Sequence, residues 1–400
     1  MKILSNDYPT NTPGPKRLAQ GGPAVFAKGL SSYAESNNHL WVGLITAVST
    51  EAKNTRLYDL GGNGKKHYYK LSIPYGKIRK ITKAEGRTDP TEILSKEIDR
   101  TSTLIKEVKA DVVFINGFSL YAWILLKAAE KAKAPIVIQH AGMFGKELDI
   151  YRDRFTPEGI RLMKKMEAES SDLSEIEIFL NEWSRDYYSK NVHPADADSS
   201  IIIPLPFRGD VPEDLQRNKN DHVVKLGCIA RWDRIKNHKA ILRLAKEIKD
   251  EDLPWEINSV TKIPETPTSK EFKDRYRAHI NVLPSMGRAD ILSFIKSMDM
   301  MLVPSLFDVS PFVVLESIFC GTPVLISEGV GFSTTFKDHG GEKYVVDFED
   351  PKAIIKKIND LKDKKIPTEL VRHIKERHDP EKVFDEYLAI FEKISNKNKK

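Results

Sequence analysis

Short apolar runs alternate with amphipathic stretches from one end of the chain to the other, which is the pattern of parallel sheets covered by helices. In the first half the runs predict strands over 41–48, 111–115, 135–139, 175–180 and 200–203. Between two of them, Asp89-Pro90-Thr91-Glu92 supplies an N-cap, a first-turn proline and a capping-box glutamate. Ile93, Leu94, Ile98, Leu104, Ile105 and Val108 follow at helical spacing. From Pro206 to His222 the sequence turns polar, proline-containing and aperiodic, which marks a boundary. A second series then predicts strands over 223–230, 255–259, 280–283, 300–303, 323–326 and 344–346. Beyond Pro380, the residues Val383, Phe384, Tyr387, Leu388, Phe391 and Ile394 fall on one face of a helix. The expected organisation is an N-terminal α/β domain over 1–205, a C-terminal one over 206–379, and a helix over 380–400 that packs back on the first.

Composition narrows the class. A chain of 400 residues exceeds what one core organises. With 40% hydrophobic and 30% charged residues it is neither disordered nor fibrous. Sixty-three basic against 57 acidic residues leave a net +6, too even for the electrostatic footprint of a nucleic-acid binder. One local excess stands out: Lys65, Lys66, Lys70, Lys77, Arg79, Lys80 and Lys83 share a segment with Tyr68, Tyr69 and Tyr75. Its plain reading is a solvated loop. The sharper one is a landing surface for an anionic membrane or acidic acceptor, where each basic side chain contributes ~1 kcal/mol. Cys228 and Cys320 lie in apolar runs, which argues against a disulfide scaffold and for a reducing compartment. The start at Met1-Lys2-Ile3-Leu4 passes directly into Ser5-Asn6-Asp7, leaving no apolar signal-peptide core, and the expected location is cytoplasmic, at the inner face of the membrane if 65–83 binds it.

The stretch PSLFDVSPFVVLESIFCGTPVLIS, Pro304 to Ser327, carries the chemistry. A strand over 300–303 leads into Ser310-Pro311, an N-cap and first helical residue, so a helix starts at the carboxyl edge of a sheet. That is where open α/β folds bind ligands, and a helix N-terminus there suits a phosphate. Glu316 lies six residues past Ser310, ~9 Å along the axis at 1.5 Å per residue, inside an apolar run where a charge is costly. Asp308 and Glu316 thus suit a ligand with a diphosphate between two hydroxyl-rich groups, since each carboxylate accepts from hydroxyls. The plain alternative makes Asp308 a turn former and Glu316 a helix residue reaching solvent.

Asp308, seven residues, Glu316 and then Cys320-Gly321-Thr322-Pro323-Val324 resemble the E-x7-E region of retaining glycosyltransferases of the GT4 type. The segment LGCIARWDRIKNHKAILRLAKEI is similar to that family's strand-Arg-x4-Lys-helix element. The resemblance implies an α/β GT-B fold, two Rossmann-like doubly wound domains facing across a cleft, and transfer of a hexosyl unit from a UDP- or GDP-linked sugar with retention of configuration. It implies no cofactor or metal, and an acceptor that is a glycan, a glycolipid or a small hydroxylated molecule in cell-envelope synthesis. Carried over residue by residue, Arg231 and Lys236 hold the diphosphate, Glu316 the ribose, and Asp308 the donor sugar, with Asp308 standing where most members carry Glu. Gln20-Gly21-Gly22-Pro23 resembles the N-terminal glycine loop, and His140 matches a histidine that touches the donor sugar. The implied catalytic set is Arg231, Lys236, Asp308 and His140; the donor-binding set is Gly21, Gly22, Arg231, Lys236, Asp308, Ser310, Phe312, Val313 and Glu316. Val309-Ser310-Pro311-Phe312 replaces the usual glycine-rich turn, which removes N–H donors.

Other signals are weaker. Gly61-Gly62-Asn63-Gly64-Lys65-Lys66 lacks the spacing and the Ser/Thr of a phosphate loop, Asp196 and Asp198 lie in a polar stretch, and no Cys/His spacing reads as a zinc site. Rival readings are a nucleotide-sugar 2-epimerase or a phosphorylase on the same fold, and a non-catalytic sugar-nucleotide-binding protein.

Overall fold

The computed structural model describes residues 1–8, 22–84, 89–207, 209, 211, 223–266 and 268–397. It divides into two compact units, Met1–Leu205 together with Glu381–Lys400, and Pro206–Pro380.

The first unit is built on an eight-stranded sheet. In chain order its strands are β1 (Lys2–Asp7), β2 (Leu40–Ser49), β3 (Arg56–Asn63), β4 (Lys66–Pro74), β5 (Val112–Asn116), β6 (Ile136–His140), β7 (Ile176–Phe179) and β8 (Ser200–Ile202). They lie in the order β3-β4-β2-β1-β5-β6-β7-β8. All neighbours are parallel except the hairpin pair β3 and β4. The chain switches direction across the sheet between β1 and β5, which places a crevice at their carboxyl ends. Both central strands are sealed: Ile3, Leu4, Val113 and Phe114 are 0% exposed. The helix Pro380–Lys397 belongs to this unit, with Tyr387 Oη donating to Gln139 Oε1 at 2.6 Å. Phe384 and Phe391 set their rings 6.1 Å from Phe26 and 5.2 Å from Phe114.

Three sequence expectations change here. β1 reads as polar because it ends in Ser-Asn-Asp, yet neighbouring chain satisfies those groups: Asn6 Nδ2 donates to the Asn116 carbonyl at 3.1 Å, and Trp41 Nε1 donates to Asp7 Oδ2 at 3.1 Å. The helix expected after Asp89 is two pieces, Pro90–Ile93 and Ser95–Val108, broken at the buried Leu94 with φ −101 and ψ 14. The basic segment is not a loop. It forms β4 and the helix Tyr75–Lys83, and the fold brings it the acids its own sequence lacks. Lys66 Nζ pairs with Glu35 at 3.2 Å, and Lys77 Nζ with the buried Glu97 at 2.7 Å. Arg79 and Lys80 stay exposed.

The second unit holds β9 (Val224–Ile229), β10 (Trp255–Val260), β11 (Asn281–Leu283), β12 (Met300–Val303) and β13 (Val324–Ile326) in the order β11-β10-β9-β12-β13. All pairs are parallel, the doubly wound order with its switch between β9 and β12. Leu226, Leu302, Leu325 and Ile326 form the sheet's share of a core that the helices His238–Asp250 and Phe312–Cys320 cover with Ile241, Leu244, Val314 and Leu315. The expected strand over 344–346 is a short 3₁₀ turn, Glu342–Tyr344, followed by one bridge from Val345 to Ile326.

Candidate functional site

At the switch point of the second unit, the chain leaving β9 turns through Arg231 and Trp232 into the 3₁₀ turn Arg234–Lys236. Asp233 accepts from Ile235 N at 3.0 Å, and Asn237 closes the turn at φ 51. The turn is anchored from below. Trp232 stacks on His238 at 4.5 Å and meets the edge of Tyr276 at 5.0 Å, while His238 Nε2 donates to the Arg231 carbonyl at 2.8 Å. Burial pushes the His238 pKa down, which keeps the ring neutral beside two cationic residues. Arg231 itself is exposed, and its guanidinium has no ion pair among the described residues.

The chain leaving β12 packs directly against this turn, with Leu306 N donating to the Ile235 carbonyl at 2.8 Å. Asp308 is fixed on both sides by the loop after β13: its N–H donates to Gly329 O at 2.9 Å, and its carbonyl accepts from Gly331 N at 2.8 Å. A Cβ on Gly329 would stand 2.3 Å from the Leu306 carbonyl oxygen, so this approach needs glycine. The fold thereby brings two predicted site residues together: Lys236 Nζ and Asp308 Oδ2 form an ion pair, 19% and 17% exposed.

Ser310 is buried, and the helix begins one residue later than expected, at Phe312, with Pro311 in the N-cap position and no side chain capping it. Pro311 itself has extended backbone, φ −68 and ψ 121, so Ser310 ends the loop instead of capping the helix. Phe312 is half-buried and Val313 buried at the first turn. Glu316 lies within the same helix and is 5% exposed. Its partner was not foreseen: Arg288, at the start of the helix Arg288–Ser297, donates from Nη1 to Glu316 Oε1. Burial raises the Glu316 pKa and the Arg288 guanidinium opposes it.

In the first unit the predicted residues separate. Gly21 lies outside the described residues. Gly22 opens the helix Gly22–Ser36, whose start is tied to β5 by Asn116 Nδ2 donating to the Pro23 carbonyl at 3.0 Å. His140 is 0% exposed, with Nε2 donating to Glu177 Oε1 at 2.9 Å and its ring stacked on Phe179 at 4.6 Å. It faces the core and presents no atom to solvent. At the carboxyl ends of β1, β2, β5 and β6 lies a cavity of about 360 Å³, lined among others by Asn6, Asp7, Tyr8, Ser119, Tyr121 and Glu147. Among the described residues no cluster of three or more His, Cys, Asp or Glu is placed to hold a metal ion, and no helix is long and apolar enough to cross a membrane.

Residues 212–379 match the family described as glycosyl transferases group 1. No curated protein sequence matches the chain. Among solved structures, the sucrose-phosphate synthase of Thermosynechococcus elongatus superposes with a TM-score of 0.72 at 12% identity, covering 98% of both chains. The α,α-trehalose-phosphate synthase of Burkholderia xenovorans in complex with glucose-6-phosphate gives 0.67 at 11%, covering 98% and 99%. The E. coli trehalose-6-phosphate structure bound with UDP-2-fluoro glucose gives 0.64 at 11%, covering 98% of each. At such identities these matches speak for the fold, and the family match speaks for the second unit. Residues 212–379 are thus similar to the glycosyl transferases group 1 family, and the chain as a whole shares the GT-B fold of these solved structures.

Proposed function

We propose that the second unit binds a nucleotide-diphosphate sugar and that the protein transfers the hexosyl group to a hydroxylated acceptor with retention of configuration. The observation that carries this reading is the pairing of two acids with two bases along one loop and helix, Lys236 with Asp308 and Arg288 with Glu316. A departing diphosphate gains negative charge, and fixed cations lower that barrier. Arg231 supplies a forked guanidinium open to solvent. Lys236 has three donors, enough to hold Asp308 and a phosphate oxygen together. Glu316 accepts from ribose hydroxyls and Asp308 from the donor sugar. The acceptor attacks on the face the diphosphate leaves, and a phosphate oxygen takes its proton, so no separate protein base is needed. Arg231 and Lys236 supply the positive charge in this scheme, and turnover is expected to survive a chelator. His140, facing the core, supports β6 and does not touch the sugar.

The carboxylates and hydroxyls of the cavity beside β1 and β5 suit a polyol acceptor. The exposed Arg79 and Lys80 on the helix Tyr75–Lys83 support a peripheral contact with anionic lipid at the cytoplasmic face, in keeping with envelope glycan or glycolipid synthesis.

The test is a panel of UDP-, GDP- and ADP-sugars scored for thermal stabilisation and slow hydrolysis, with UDP-glucose first, repeated with Glu316→Ala. One donor should raise the melting temperature of the parent and leave the variant unmoved. No shift with any donor, or the same shift in both proteins, removes the reading. Conversion of the donor sugar without an acceptor would instead identify an epimerase.

A further inference from the structure

Glu316 is the most nearly enclosed charge of the candidate donor site, and its surroundings explain how it stays ready. Arg288 reaches it from a different helix, 28 residues away in sequence. The guanidinium is braced on two more sides. Its Cζ lies 5.5 Å from the centroid of Phe207, which stacks on Phe319 at 3.8 Å. Gly209, at φ +153, comes so close that a Cβ there would stand 3.3 Å from Arg288 Nε. Such packing removes rotamers from a long side chain and holds the fork toward the Glu316 carboxylate. Arg288 is itself 38% exposed at its side chain, so it does not share the carboxylate's isolation from water.

We propose that Arg288 is a positioning residue for the donor reaction: it acts through Glu316, holding that carboxylate charged and oriented to accept hydrogen bonds from the nucleotide's hydroxyls. The inference rests on the assignment of Glu316 to nucleotide binding. Removal of one partner from a buried pair leaves the other uncompensated, and a carboxyl in that position takes up a proton. A protonated Glu316 has a donor of its own and fewer lone pairs for ribose. Other charged groups near this helix are few. Cys320, on the same helix, feels Glu316, Lys296 and Arg288, and burial pushes its thiol up to about 11. The helix Thr368–Arg377 brings Lys375 to 5.8 Å from the Phe319 ring. The strands packed beneath, β12 and β13, carry no titratable side chain. Arg288 is the one cation that hydrogen-bonds Glu316 among the described residues.

The experiment titrates UDP and GDP by calorimetry between pH 5.5 and 8.5 into the full-length parent, Arg288→Met, Arg288→Lys, Glu316→Gln and the Arg288→Met/Glu316→Gln double variant. Arg288→Met should bind as the parent does at the alkaline end and lose affinity by up to about tenfold per pH unit on acidification. Arg288→Lys should restore the parent's profile, and in the Glu316→Gln background Arg288→Met should cost nothing further. A loss of the same size at every pH, or a full additional loss in the double variant, would show Arg288 acting on the nucleotide or on the fold directly and would overturn the inference. Should Arg288→Met not fold, Arg288→Gln keeps a donor without the charge and gives the same reading. If the parent binds neither nucleotide, the donor-site assignment fails, and the pair is then judged on unfolding profiles of the same proteins. Non-additive pH dependence keeps Arg288 acting through Glu316, and additive behaviour removes it.

Discussion

Glu177 in the first unit and Glu316 in the second are both buried carboxylates with a basic partner, 3% and 5% exposed, yet the fold treats them oppositely. Burial raises the pKa of Glu177, but hydrogen bonds from His140 and from Ser171 Oγ at 2.7 Å outweigh it and hold the group below its ordinary 4.5. Glu316 has one partner, and burial prevails, holding it above 4.5. The signs follow. Glu177 adds stability above pH 4.5 that is lost as pH falls through its folded pKa; Glu316 adds stability that is fully present below pH 4.5 and is lost as pH rises through its folded pKa. At neutral pH the first charge stabilises the molecule and the second destabilises it. A charge that a fold keeps at a cost, beside a half-exposed arginine, is what a ligand site is expected to contain.

The largest effect that can break this comparison is expected at His140. His140→Ala strands Glu177 in the core and should lower the unfolding free energy by about 3–5 kcal/mol in a denaturant titration. Nucleotide affinity of the folded fraction should not change. Unchanged stability with abolished turnover would reverse the assignment and return His140 to the donor sugar. A smaller loss, about 1–3 kcal/mol, is expected from Gly329→Ala, whose new methyl meets the Leu306 carbonyl and pushes on the loop that fixes Asp308. Here nucleotide binding should weaken with stability, because Asp308 pairs with Lys236.

A third carboxylate, Glu167, sharpens the contrast: among the described residues it forms no ion pair, and the charge of Lys164 is the smallest influence opposing its burial. Glu167 accepts from Phe144 N at 2.7 Å and Gly145 N at 2.6 Å, and burial still lifts its pKa from 4.5 to about 7. Its folded value is raised, so stability should be greatest below pH 4.5 and fall as pH rises toward 7, by up to about 1.4 kcal/mol per pH unit. Glu167→Gln should flatten that part of the melting-temperature profile. An equally steep slope in the variant would assign it to other groups.

What the sequence made legible was whatever depends on short-range pattern. The five strands of the second unit were foreseen within a residue or two, most clearly β12 and β13, which are buried apolar runs between turns, whereas 344–346 is a 3₁₀ turn and one bridge; the pairing of Lys236 with Asp308 joins two segments that were already marked. What escaped depends on distant chain. β1 ends in polar residues whose partners, Asn116 and Trp41 among them, lie far along the chain. The hairpin β3–β4 has one exposed edge and little alternation. Arg288 lies in Ser285-Met286-Gly287-Arg288, where nothing local distinguishes it from a surface arginine. The solvated-loop reading of the basic segment failed in the same way, since Glu35 and Glu97 that pair with it are remote in sequence.

The smallest effect is the most telling. Glu316→Gln keeps the shape of the side chain and removes a charge that burial disfavours, so it should leave stability within about 0.5 kcal/mol of the parent or raise it slightly, while donor binding weakens but stays measurable. A structural buried charge behaves differently: its loss is felt in the fold first. Arg288 loses its hydrogen-bonded carboxylate, and its guanidinium, 38% exposed at the side chain, is already in contact with water. A Glu316→Gln protein that unfolds several kcal/mol more easily, with its affinity for nucleotides intact, would place Glu316 beside Glu177 as a core ion pair and leave the second unit's sheet edge without its ribose-binding acid.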